Sequence, residues 1–154
     1  MVTEASEIGA PLWIGEFVGN SNFDRMSLAT QDAFLLGSAA WGYFPSGNEL
    51  VDADGTEHLE LVNILARPYP LQTAGIPQSL SWNVDTHEFH YSWAEDAQRD
   101  IPDPTIIVVP TARQFPQGFQ LIATPGDTVK IDGDRIIIRA DRRNAIHSIE
   151  IHSR

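Results

Sequence analysis

Pro11-Leu-Trp-Ile-Gly-Glu-Phe-Val18 is an almost continuously apolar run broken by a single carboxylate, Glu16. This is the pattern of a strand buried on both faces of a parallel sheet. From about Asp24 to Leu36, the residues Met26, Ala29, Ala33 and Leu36 recur at helical spacing, and Gly37 stands where a C-cap glycine would. Ala39-Ala-Trp-Gly-Tyr-Phe44 reads as a second buried strand ended by the turn Pro45-Ser-Gly-Asn48. Asp54-Gly-Thr-Glu57 reads as a capping box before a helix carrying Leu61, Val62 and Leu65, which stops near Arg67 because Pro68 and Pro70 disfavour helix before them. Strand, helix, strand, helix is the repeat of an α/β protein.

After Pro70 the period changes from helical to twofold. Leu80, Trp82 and Val84 alternate with Ser79, Ser81 and Asn83; beyond a turn at Asp85-Thr86, His87, Phe89, Tyr91 and Trp93 alternate with Glu88, His90 and Ser92. This predicts a hairpin with one wet face. Further strands are expected at 105–109, 119–124, 128–131, 135–140 and 145–152, separated by turns such as Pro125-Gly-Asp127 and Asp132-Gly-Asp134. Many short strands with regular turn signals predict an antiparallel sandwich. The boundary falls at residues 67–77, dividing the chain into 1–70 and 71–154.

Charge follows the same division. The 154 residues hold 21 acidic and 10 basic side chains, 42% hydrophobic residues and no cysteine. Residues 1–60 carry Arg25 as their one basic side chain and account for most of the formal net charge of -11. Such acidity argues against nucleic acid or an anionic membrane surface as a partner. The hydrophobic fraction predicts a folded, soluble protein, and no apolar run reaches the roughly 18 residues of a spanning helix. The lack of cysteine excludes disulfides, thiolate nucleophiles and cysteine-based zinc sites without fixing the compartment. Residues 1–10 carry no targeting pattern and read as the interior of something longer or the start of a fragment.

Two residues stand out as candidates. Glu16 lies near the C-terminal end of a parallel strand, where α/β barrels keep their active sites, and a carboxylate in an apolar run is costly without a partner or a function. An ordinary strand-end Glu, solvated or paired with an Arg, is the competing reading. Trp41 lies near the end of the next strand and could face the same ligand, since indole stacks on the apolar C–H face of a sugar; a core Trp with a satisfied N–H competes. Metal binding is not expected. His87 and His90 are three apart on a strand and point to opposite faces, and His58, His147 and His152 have no ligand-like spacing. The acids Glu49, Asp52, Asp54, Glu57 and Glu60 lack the register of a calcium loop and read as a solvated surface. No phosphate-binding loop, dinucleotide fingerprint or Gly-x-Ser-x-Gly is present, and no cofactor is implied.

Leu12-Trp-Ile-Gly-Glu-Phe17, a helix, Ala40-Trp-Gly-Tyr43, Arg67-Pro-Tyr-Pro70, Ala74-Gly-Ile-Pro77, an aromatic hairpin, a strand ending in Val-Pro and then Phe115-Pro-Gln-Gly118 form an ordered set. That set resembles the C-terminal part of endoglycoceramidase-like enzymes of glycoside hydrolase family 5, from about residue 10 to 152. The resemblance implies the last two strand–helix units of a (β/α)₈ barrel followed by a C-terminal β-sandwich. It implies that Glu16 is the catalytic nucleophile of a retaining mechanism and Trp41 a platform beneath the sugar. Tyr43 and the loop Ser46–Asn48 would line the cleft rim. Arg67 to Pro70 and the sandwich would be structural or, at most, would help position a lipid-bearing substrate. The substrate would be a glycolipid or other β-glycoside; secretion is common in the family, but the compartment stays open.

The sequence departs from the family in one respect. The acid/base glutamate belongs to the fourth barrel strand, and a barrel needs ~250 residues, whereas residues 1–66 supply two strands. The isolated chain is therefore expected to lack glycosidase activity, to expose apolar strand edges, and to need a polypeptide carrying strands one to six or to be a truncated reading frame. A non-catalytic β-sandwich module binding carbohydrate or protein is the alternative.

Overall fold

The computed structural model describes residues 2–17, 19–42, 50–98 and 101–154, which group into two compact units, Met1–Leu65 and Ala66–Arg154. The first holds α1 (Val2–Glu7), β1 (Trp13–Phe17), α2 (Ser21–Ala33), β2 (Gly37–Ala40) and α3 (Leu59–Leu65). β1 and β2 pair in parallel, Trp13 opposite Gly37 and Phe17 opposite Ala40, as a two-stranded sheet. The Trp13 indole lies over Gly37, where a Cβ would meet it at 2.8 Å and displace it.

The expected α/β repeat is present, but its burial differs from expectation. β1 is open rather than buried on both faces, with Trp13 60% exposed and Glu16 exposed. A pair of strands, with no third strand beside it among the described residues, cannot enclose its side chains. In α2 the predicted stripe points outward, with Met26 72% exposed and Ala29 and Ala33 exposed; Asp24, Leu28, Gln31 and Asp32 form the buried face. That face meets β2, where Ser38 Oγ donates to Gln31 Oε1, and the helix packs on α3. Periodicity identifies a stripe but not the neighbour that covers it. Asn20 caps the helix by accepting from Phe23 N–H at 3.0 Å.

Two local signals resolve differently. Leu35, not Gly37, takes the left-handed conformation after α2 (φ 54), with Leu36 N–H donating to Gln31 O and Leu35 N–H to Asp32 O, the hydrogen bonds of a Schellman motif. Asp54-Gly-Thr-Glu57 is a turn rather than a capping box. Val51 bridges Glu57, Asp54 Oδ1 accepts from Thr56 N–H, and α3 starts only at Leu59. The expected strand at 39–44 is seen as Gly37–Ala40, and its last residues, Tyr43 and Phe44, lie outside the described residues.

The second unit is an antiparallel sandwich of two four-stranded sheets. One orders β4 (Ile76–Asn83), β5 (Glu88–Ala94), β10 (Ile146–Ser153) and β7 (Phe119–Ala123); the other orders β3 (Tyr69–Gln72), β6 (Thr105–Val108), β9 (Arg135–Arg139) and β8 (Thr128–Asp132). Phe89, Tyr91 and Trp93 from β5, Ile149 and Ile151 from β10, Ile107 from β6, and Ile136 and Ile138 from β9 make one buried core. Each such side chain contributes about 1.5–3 kcal/mol.

β3 is a strand where a boundary was expected. Pro70 is tolerated because β3 lies at a sheet edge, where one side of the backbone needs no ladder partner. His87 also differs. It sits in the turn with φ 54, after Asn83 Oδ1 has accepted from the N–H groups of Asp85 and Thr86, so it does not alternate with His90 on the strand. Its ring packs with Trp82 and Phe115.

The motifs of the sandwich have physical reasons. Gly75 has φ 146, and a Cβ there would lie 2.2 Å from Ala94 O. The neighbouring Ala74 N–H donates to the buried Thr105 Oγ1. Phe115 is buried, and Gly118 N–H closes the following turn onto Phe115 O. The buried Gln114 on α4 (Thr111–Gln114) donates to Ala66 O at 2.6 Å, tying the start of this unit to that turn.

Candidate active site

Glu16 and Trp41 come together at one end of the parallel pair. Glu16 is the penultimate residue of β1, and Trp41 follows β2 directly, its backbone N–H donating to Phe17 O at 2.8 Å. Both are at the C-terminal ends of adjacent parallel strands. A register shift between Ile14 and Phe17 interrupts the alternation of β1 at Glu16, and Gly15 and Glu16 are both exposed. The carboxylate is exposed and has no hydrogen-bond or ion-pair partner among the described residues. Trp41 is 59% exposed, so it is not a core tryptophan here. Tyr43 and Ser46–Asn48 lie outside the described residues.

The surrounding unit has other polar groups. Asp24 is buried, and burial raises its carboxyl pKa above the usual value, opposed by the Gly19 N–H that bonds it; Oδ1 has no partner. A concavity of about 340 Å³ is lined by Gly19, Asn20 and Ser21 with His58 to Leu61, and neither Glu16 nor Trp41 lines it. Asp52 and His58 are 2.8 Å apart on the acidic turn.

Two arrangements in the sandwich escaped local reading. His147 is fully buried, stacked on Trp93 at 5.5 Å, with Nδ1 2.8 Å from Asp127 Oδ2. Its Nε2 comes within 3.2 Å of Glu95 Oε1 without hydrogen-bond alignment. On the outer face, His90 and His152 are neighbours across the β5–β10 pairing, beside Glu150 and Glu88. Alternation places these residues on the wet faces of two strands 60 positions apart, and knowing which strands pair would have revealed the group.

The architecture is a short α/β portion with one parallel strand pair, followed by an antiparallel sandwich. The chain belongs to glycoside hydrolase family 5: the family's C-terminal domain matches residues 67–151. Solved structures are similar over nearly the whole chain. Endo-glycoceramidase II from Rhodococcus sp., in its complex with a five-membered iminocyclitol, is 24% identical with a TM-score of 0.81, covering 99% of this chain and 36% of that one. The same protein as a lactosyl-enzyme intermediate is 23% identical, with a TM-score of 0.81 and coverage of 99% and 35%. Sterylglucosidase 1 from Cryptococcus neoformans is 16% identical, with a TM-score of 0.75 and coverage of 94% and 29%. At these identities the likeness is one of fold, and the chain spans about a third of the length of these proteins. No curated protein sequence matches the chain. The chain is thus a family 5 C-terminal domain, resembling that of endoglycoceramidase, with a short α/β portion before it.

Proposed function

We propose that this chain forms the C-terminal part of a retaining glycosidase that hydrolyses β-glycosidic bonds of glycolipids, with Glu16 as nucleophile and Trp41 as the sugar platform. The observation that carries the reading is the position of an exposed Glu16 and an exposed Trp41 at the C-terminal ends of adjacent parallel strands. The similar structures support it: that endoglycoceramidase is seen as a lactosyl-enzyme intermediate and in complex with ganglioside GM3.

In this reading the Glu16 carboxylate attacks the anomeric carbon while the bond to the leaving oxygen breaks, and a carboxylic acid about 5–5.5 Å away gives that oxygen its proton. The resulting glycosyl ester is hydrolysed by a water that the same second residue, now a carboxylate, deprotonates. The mechanism requires Glu16 to attack as the carboxylate. The second carboxyl group belongs to a fourth strand that residues 1–66 do not provide. The 154 residues alone are therefore inactive, and a polypeptide supplying six further strands would complete the cleft.

The test is complementation. The chain is mixed with a polypeptide carrying strands one to six, and turnover of a fluorogenic β-glucoside and a glycosphingolipid is measured. Turnover only in the mixture, lost in Glu16→Gln, supports the reading, and a 2-fluoro-glycoside should label Glu16 in the peptide map. Turnover by the chain alone, or an active Glu16→Gln mixture, would refute it. Glycan binding retained by residues 66–154 without turnover in the mixture would favour a non-catalytic binding module; the sandwich has a core of its own that makes such a role physically possible.

A further inference from the structure

We infer that His147 is a proton-operated clamp on the Glu95 end of the sandwich: a second proton on the ring ties Glu95 to β10, and its loss releases the Glu95 carboxylate toward the neighbouring concavity. The inference is independent of the glycosidase reading, since every residue in it lies in the second unit. Asp127, in the turn between β7 and β8, places Oδ2 2.8 Å and Oδ1 3.0 Å from His147 Nδ1. A carboxylate can only accept there, so the neutral ring keeps its one proton on Nδ1. Nε2 is then the atom that gains or loses a proton. It is buried without a hydrogen-bond partner, and Glu95 Oε1 lies 3.2 Å away.

With Nε2 bare, a buried lone pair faces a carboxylate oxygen, two acceptors with no proton between them, which is costly for buried polar groups. With Nε2 protonated, the same approach becomes a charge-assisted hydrogen bond once Glu95 turns into line. The ring itself is held by Asp127 and by its stack on the buried Trp93. Glu95 directly follows β5 and its side chain is 28% exposed, so it is the member that moves. It lines a concavity of about 540 Å³ with Gln98, Arg142 and Arg143, whose guanidinium groups give the released carboxylate a positive wall to turn toward. The remaining charge beside the ring does not switch. Asp141, in the loop before β10, donates its backbone N–H to Asp127 Oδ1, and the Arg143 guanidinium holds its own carboxyl at about 2, so it stays ionised. The clamp needs a protonated imidazole and an ionised glutamate. Free imidazole changes charge near about 6.5 and free glutamate near about 4.3, so the closed window lies between them and the clamp opens as pH rises toward about 8.

Amide hydrogen exchange of the full chain, corrected for intrinsic rates, tests this. The Glu95 backbone N–H donates to Ala145 O at 3.0 Å and so reports whether the end of β5 is tied to the chain entering β10. Its protection should be roughly fivefold higher at about pH 5.5 than at about pH 8, while that of Tyr91, in the middle of β5, changes by less than about twofold. NMR should show a His147 Nε2–H signal at the lower pH that is missing at the higher. In Glu95→Gln the side-chain amide donates to bare Nε2, so the amide at position 95 stays protected across the range and the pH dependence is lost. The substitution keeps the side chain's shape, and circular dichroism verifies that the variant folds. Equal protection of the Glu95 amide at both pH values, an equal change at Tyr91, or a pH dependence retained in Glu95→Gln overturns the inference.

Discussion

His147 Nδ1–H donates to Asp127 Oδ2 at 2.8 Å, and both side chains are wholly buried. Asp127 Oδ1 also accepts from Asp141 N–H at 2.8 Å. One carboxylate in the turn between β7 and β8 therefore holds the loop before β10 and the first part of β10 itself. Removing one member of a buried hydrogen-bonded pair leaves the other desolvated and unsatisfied. Asp127→Ala is expected to destabilise the sandwich by about 2–3 kcal/mol, read as a lower urea midpoint by tryptophan fluorescence. Asp132→Ala, which removes an exposed pairing with Lys130, should change the midpoint little.

Gly75 makes a second prediction. Its φ of 146 and the 2.2 Å approach of a Cβ to Ala94 O leave no room for a side chain. Gly75→Ala should cost about 2 kcal/mol or more, because backbone rather than a flexible side chain would have to move. An unchanged thermal midpoint would contradict this account of the Ala74-Gly-Ile-Pro77 motif.

Leu35 offers a stabilising change. A branched apolar residue in the left-handed region costs roughly 1 kcal/mol that glycine avoids. Leu35→Gly keeps the Schellman hydrogen bonds and should stabilise the first unit by about 0.5–1 kcal/mol. Hydrogen exchange of the α2 amides measures it directly, with slower exchange expected.

Asp24 links the same helix to pH. Its carboxyl pKa is raised by burial, so the folded state holds its proton more tightly than the unfolded chain. The neutral form is then favoured by folding, so stability falls as pH rises from the unfolded value toward the folded one, and the full cost of ionised Asp24 is in place above it. Asp24→Asn should therefore stabilise the first unit at pH 7, with the advantage shrinking as pH falls toward the unfolded aspartate value of about 3.9. Denaturation curves of both proteins at several pH values check the sign; a constant difference would count against it.

Trp41 can be separated from Glu16 in the complemented enzyme. Loss of an indole platform should reduce kcat/KM of Trp41→Ala by roughly tenfold, on the order of 1–1.5 kcal/mol, while Trp41→Phe recovers part of it. Glu16→Gln should instead abolish turnover and leave ligand binding in place.

The order of elements was legible because its causes are local. The apolar run around Ile14, the twofold alternation of Phe89, Tyr91 and Trp93, and turns such as Asp132-Gly-Asp134 are set by neighbours in sequence. The strand ends carrying Glu16 and Trp41 were legible for the same reason. Tertiary structure decided what periodicity cannot: that Met26 faces outward while Asp24 is buried, and that Pro70 belongs to an edge strand. It also decided that Asp127 meets His147 and that His90 meets Glu150 and His152. Each of these depends on which distant element lies alongside, and a sheet's register brings together residues whose separation along the chain carries no trace of the contact.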